Sequence, residues 1–126
     1  MPSKHTIFLV DDEEALLATL SAELTDAGYE AQSASDGERA LAILQEKKFD
    51  VVLLDVRMPG VDGMEVLKFI SQHSATTKVI MLTALDDVKT ALDAKRFGAH
   101  DYVSKPYILE DLLIKIQSAV GSISPE

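Results

Sequence analysis

The chain of 126 residues contains no cysteine, which excludes a disulfide framework and any thiolate metal site. Nor is there an apolar run near the roughly 18–20 residues that a membrane span needs. The first apolar run, Ile7 to Val10, ends at once in the acids Asp11 to Glu14, so the N-terminus does not read as a signal peptide. Basic residues are scarce: 12 Lys and Arg stand against 21 Asp and Glu, a formal net charge of −9. Nucleic acid and anionic membranes are gripped by clustered Lys and Arg, so neither is expected as a direct partner of this chain. A basic partner or a cation stays open, and for most of the acids solubility is reason enough. Internal repeats, low-complexity segments and interdomain linkers are absent too. The expectation is one domain over residues 1–126, with an ordered core over about 5–120, working in the cytoplasm.

What the chain does have is short apolar runs punctuated by turn residues. Residues 6–10, TIFLV, form a continuous run of β-forming residues and read as a buried strand. Leu16, Leu17, Leu20 and Leu24 then recur at helical spacing up to Ala27, with acids before them to complement the helix dipole and Gly28 as the stop. Residues 29–34 alternate weakly and suit a strand nearer an edge. Ser35 and Asp36 offer an N-cap to a helix carrying Ala40, Leu41 and Leu44 and ending near Lys47 and Lys48. Val51 to Leu54 is aliphatic throughout and runs into Asp55, after which Met58, Pro59 and Gly60 make a turn. Such a run reads as a strand buried on both faces. Asp62 and Gly63 open a third helix with Val66, Leu67 and Ile70 inward. A fourth strand over 78–83, a helix over 86–97 closed by Gly98, a short strand over 101–104 and a helix over 108–120 complete the order. The last residues are polar and expected to fray.

Five strand–helix units with short connections predict an α/β fold, a parallel sheet covered by helices on both faces. The usual order for five such units is 2-1-3-4-5, the flavodoxin-like doubly wound arrangement. Ligands bind at the carboxyl ends of the strands in such sheets. Those ends carry Asp11 and Asp12 after the first strand, Asp55 after the third, Thr83 after the fourth and Lys105 after the fifth.

Carboxylates about 5 Å apart repel by roughly 3 kcal/mol per pair at an effective dielectric of about 20. A cation or proton must compensate them. With no His or Cys beside them, a hard, oxygen-seeking ion is indicated, and Mg²⁺ suits one or two carboxylates, waters and phosphate oxygens. Asp55 is then available as a nucleophile toward phosphorus, giving an aspartyl phosphate. The transferred group needs charge stabilisation on its equatorial oxygens. Mg²⁺, the Lys105 ammonium, the Thr83 hydroxyl and the backbone N–H beside the small Ala84 would supply it.

The pieces FLVDDEE, VVLLDVRMPGVDG, VIMLTA and DYVSKPY, in this order and spacing, resemble a receiver domain of a two-component response regulator along essentially the whole chain. The resemblance implies that Asp55 accepts a phosphoryl group from a histidine kinase or phosphotransfer protein. It implies Mg²⁺ ligation by Asp12, Asp55 and the Arg57 backbone carbonyl, with Asp11 acting largely through water. Thr83 and Tyr102 would form the switch pair, Lys105 would bond the phosphoryl group, and Lys105–Pro106 would be a cis peptide, a form nearly confined to X–Pro bonds. Tyr107 stands where many members carry Phe. The surface over 86–120 would change on phosphorylation and meet an effector domain, a separate protein or a second copy of the chain. The side chains at Arg57 and Leu85 would set the phosphate lifetime, and their bulk implies slow loss. Such a domain is a signalling switch, catalysing only its own phosphorylation and dephosphorylation. VDDEEALL and DVRMPGVDG resemble receivers fused to ATPase and DNA-binding modules in transcription activators, so control of transcription is the expected output.

Three other functions compete. An FMN- or nucleotide-binding flavodoxin-like carrier needs a hydroxyl- and Gly-rich phosphate loop after the first strand, where this chain has DDEE. A hydrolase of the haloacid dehalogenase type places its nucleophile after the first strand, with a second Asp two residues on. Here Asp55 follows the third strand and its neighbour at that distance is Arg57. A receiver that no longer takes phosphate would act as a docking module, but all five chemical positions are intact.

Overall fold

The computed structural model describes residues 4–58, 60, 62–84 and 88–121. Pro59 of the expected turn, Leu85, the start of the expected 86–97 helix and the tail from 122 lie outside them. The elements are β1 (Thr6–Val10), α1 (Glu14–Asp26), β2 (Glu30–Ala34), α2 (Gly37–Glu46), β3 (Val51–Asp55), α3 (Gly63–His73), β4 (Lys78–Ala84), α4 (Val88–Arg96), β5 (Asp101–Lys105) and α5 (Leu109–Gly121). All strand pairs are parallel and the order is β2-β1-β3-β4-β5. The flavodoxin-like α/β arrangement expected from the strand–helix alternation is therefore present. Strands four and five each run one residue further than the 78–83 and 101–104 of the sequence reading. The ladder continues because Ala84 and Lys105 are register partners.

Local chemistry explains the boundaries. Asp36 and Asp62 cap α2 and α3, accepting from the backbone N–H groups of Arg39 at 2.7 Å and Glu65 at 3.1 Å. Gly28, at φ +100°, ends α1 in a left-handed turn. The Tyr29 N–H donates back to the Leu24 carbonyl and the Gly28 N–H to that of Thr25, both at 3.0 Å. This is the paired bonding that satisfies the last carbonyls of a helix. Gly98 closes α4 in the same way.

The period-2 alternation of the strands divides the core into two layers. Phe8, Val10, Val52, Leu54 and Met81 face α2, α3 and α4. Ile7, Leu9, Val51, Leu53 and Leu82 face α1 and α5. All five residues of β3 are buried, as a central strand covered on both faces requires. Among the described residues no helix is long and apolar enough to cross a membrane.

Candidate phosphoryl-transfer site

The alternation that splits the core also sorts the residues at the strand ends. Asp11, Asp55 and Lys105 have the parity of Leu9, Leu53 and Val103, so they rise on the side of α1 and α5. Thr83 has the parity of Met81 and belongs to the α3–α4 side, where Tyr102 packs half-buried against the core. The sequence reading placed all five groups in one crevice without this division. Register brings the pieces together: Val10 pairs with Leu54, Asp55 with Leu82 and Thr83 with Ser104.

Asp11, Asp12 and Asp55 each contribute one carboxylate oxygen to a group lying within 4.8 Å. Asp11 is 1% exposed and Asp55 7%, while Asp12 is open to solvent. Asp11 is occupied at both oxygens. Oδ1 accepts the Glu13 N–H at 2.9 Å, and Oδ2 accepts from Lys105 Nζ at 2.8 Å. The same ammonium stands 3.6 Å from Asp55 Oδ2. Asp55 Oδ1 accepts the Arg57 N–H at 3.2 Å. Oxygen donors of this number and hardness fit a divalent cation such as Mg²⁺. Three carboxylates against one ammonium leave net negative charge for the cation to offset.

Burial, followed by the charge of Asp11, pushes the Asp55 carboxyl up to about 6, against the lowering effects of Lys105 and the Arg57 N–H. Asp12 adds to the rise. Burial draws the Lys105 ammonium down, but its hydrogen bond to Asp11 and the charges of Asp55, Asp11 and Glu13 outweigh that. The ammonium is held above its ordinary value. The Lys105–Pro106 peptide is cis. Ala84 is the last residue of β4, in register with Lys105. Arg57 is exposed at the mouth of a cleft of about 780 Å³ whose walls include Leu16, Tyr107 and Leu109.

Two residues of the site escaped the sequence reading. Beyond Asp11 and Asp12, Glu13 reads in sequence only as an acid that complements the helix dipole, yet only Glu14 lies in the first turn of α1. Glu13 is the N-cap residue without a side-chain cap, and its carboxylate stands 3.4 Å from Lys105 Nζ. A third acid next to two strand-end acids was the available signal. The other residue is Gly63, read only as a helix start. It lies against the backbone of Asp55 and Val56, and its N–H donates to the Val56 carbonyl at 3.1 Å. No local pattern encodes that approach.

An open parallel sheet with an acidic, lysine-containing cluster at its switch point defines an α/β domain with a candidate cation site, and comparison makes the class specific. The response regulator receiver domain family matches residues 7–117. The chain belongs to that family, a family of signalling domains of two-component response regulators. It is 40% identical over 120 residues to the regulatory protein AtoC of Escherichia coli K12, covering 95% of this chain and 26% of AtoC. It is 38% identical over 117 residues to the transcriptional regulatory protein YkoG of Bacillus subtilis 168, covering 93% of this chain and 51% of YkoG. The chain thus spans about half or less of these relatives. Among solved structures, a CheY-like receiver domain protein of Methanospirillum hungatei superposes with a TM-score of 0.90 at 29% identity, covering 94% of this chain and 95% of that one.

Proposed function

We propose that the chain, a single receiver domain over 1–126, is a phosphorylation-driven switch in which Asp55 accepts the phosphoryl group of a histidine kinase or phosphotransfer protein. The observation that carries this reading is the grouping of Asp11, Asp12 and Asp55 around one point, with Lys105 Nζ 3.6 Å from Asp55. An oxygen of the Asp55 carboxylate forms the new bond to phosphorus as the bond from phosphorus to the donor histidine nitrogen breaks. That nitrogen keeps the electron pair. The Arg57 N–H on Asp55 Oδ1 fixes the carboxylate, leaving Oδ2 beside Lys105 for attack.

Asp12, Asp55 and the Arg57 backbone carbonyl would hold Mg²⁺, with Asp11 helping through water because its own oxygens are engaged. Bound there, Mg²⁺ supplies positive charge against the phosphoryl oxygens. Lys105, the Thr83 hydroxyl and the Ala84 N–H take the remaining oxygens. Thr83 moves toward the new dianion and Tyr102 follows on the same face of the sheet. The surface of α4, β5 and α5 then changes between two arrangements that phosphate biases through its differential contacts. An effector module, or a second copy of the chain, reads that surface. The naming of YkoG as a transcriptional regulatory protein supports transcriptional control as the output, exerted from the cytoplasm without this domain touching DNA. The bulk of Arg57 at the cleft mouth supports slow loss of the phosphate.

Brief incubation with acetyl phosphate and Mg²⁺, followed by intact mass, tests the reading. A gain of one phosphoryl group is expected on the wild type and none on Asp55→Ala. An unmodified wild type, or a modified Asp55→Ala, refutes it.

A further inference from the structure

The first turn of α3 lies directly on the peptide that follows the candidate nucleophile. Gly63 is buried and opens that helix. A Cβ built on it would run into the Asp55 carbonyl oxygen and would lie 2.9 Å from the Val56 Cα. Backbone atoms meet it on that side, so no flexible side chain is there to swing away. The contact is cemented by the Gly63 N–H to the Val56 carbonyl at 3.1 Å and by the Asp62 cap on Glu65 at 3.1 Å. Across the strand, the Val56 N–H donates to the Leu82 carbonyl at 3.1 Å. The peptide carrying Asp55 is thus clamped between α3 and β4.

We infer that Gly63 is a positioning residue for phosphoryl transfer: by lacking a side chain it lets α3 seat the Asp55–Val56 peptide where the Asp55 carboxylate meets Asp12 and Lys105. Its helical backbone needs no positive φ, so what excludes a side chain is close approach alone. A methyl group there must move the peptide by several tenths of an ångström or more. A displacement approaching 1 Å in a reacting group costs on the order of 100-fold in rate. The inference rests on the assignment of Asp55 as phosphoacceptor, and its test is read separately from that assignment.

The test compares Gly63→Ala with Gly28→Ala. Gly28 sits at φ +100° with nothing within 4 Å of an added Cβ, so its substitution strains the fold far from the site. Mg²⁺ affinity by calorimetry and the initial rate of phosphorylation by acetyl phosphate are measured for each, beside urea stability and an amide NMR fingerprint. Gly63→Ala is expected to lose about tenfold or more in rate and at least about threefold in Mg²⁺ affinity. Gly28→Ala is expected to lose stability while keeping both within about twofold. A folded Gly63→Ala with wild-type affinity and rate overturns the inference. If Gly63→Ala does not fold, Asp62→Ala decides, since it loosens the same turn without adding volume. Weakened Mg²⁺ binding in that variant supports the clamp, and wild-type binding overturns it. Should the wild type itself take no phosphoryl group, the phosphoacceptor assignment fails, while Mg²⁺ affinity still reports on the clamp.

Discussion

Replacing Asp55 by Asn should stabilise the metal-free protein near neutral pH. The carboxyl is pushed from its ordinary 3.8 up to about 6 in the fold, mainly by burial and then by Asp11. The folded state therefore holds the proton more tightly than the unfolded chain. Stability from this group is fully present below about pH 4 and is lost as pH rises through about 6. At about 1.4 kcal/mol per pKa unit the loss is at most about 3 kcal/mol. The cleft admits water at one side, so about 1–2 kcal/mol is the expected net effect. Asn keeps the acceptor for the Arg57 N–H and carries no charge to repel Asp11. Urea unfolding in the presence of a chelator measures the difference. Asp55→Asn should exceed the wild type by that margin at about pH 7.5, and the gap should close by about pH 4. Saturating Mg²⁺ should raise the wild type, by about 2.7 kcal/mol at 100 times its Kd, and raise the variant far less. Equal stabilities near neutrality, or a gap that persists in acid, would refute the electrostatic account of the site.

Lys105→Ala removes the ammonium that stands against Asp11 and Asp55. It should tighten Mg²⁺ binding by about tenfold, since even a screened charge at this distance is worth about 1–2 kcal/mol. Calorimetry reads this, and unchanged or weaker binding contradicts it. Phe8 is fully buried and stacks on Phe49 with ring centroids 4.6 Å apart. Phe8→Ala should cost about 3–5 kcal/mol in urea unfolding, and a loss below about 1.5 kcal/mol would mean the layer repacks. Lys115 donates to the Tyr102 carbonyl at 2.9 Å and stands 5.6 Å from the Tyr102 ring centroid. Lys115→Ala should release that residue by about 0.5–1 kcal/mol, seen as Tyr102 ring resonances moving toward their phosphorylated positions. Resonances that stay in place would show that α5 does not restrain Tyr102.

The sheet was legible because its strands are short apolar runs ended by turn residues, a signal that depends on neighbours in sequence. Val51–Asp55 states its burial on both faces in its own composition. The strand ends were legible for the same reason, once the order of the sheet was supplied by fold rules. What the sequence could not convey depends on contacts between distant segments. The choice of Lys105 between Asp11 at 2.8 Å and Asp55 at 3.6 Å depends on how the ends of β1, β3 and β5 are brought together. Glu13 resembles any helix-start acid until α1 is seen to begin one residue later. Gly63 resembles any glycine after an N-cap until α3 is laid on β3. The separation of Asp55 and Thr83 onto opposite faces follows from strand parity and was available in principle.

That separation bears on how a local charge change would be read at a distance. The metal-free cluster sets three carboxylates against one ammonium, and the ammonium is turned toward Asp11 rather than Asp55. A phosphoryl dianion on Asp55 would shift the balance, because the distance separating the two choices of Lys105 is under an ångström. Asp11 is anchored to the start of α1 through the Glu13 N–H, so Lys105 is the partner free to move. Lys105 terminates β5, and Tyr102 lies three residues earlier on the opposite face of that strand. Thr83 reaches the same opposite face from β4. One added charge would therefore pull on β5 from the α1–α5 side through Lys105 and on β4 from the α3–α4 side through Thr83. The two strands share a register that Met81 and Tyr102 lock by pairing side by side. On this reading, phosphorylation would displace β4 and β5 together rather than change the pocket alone.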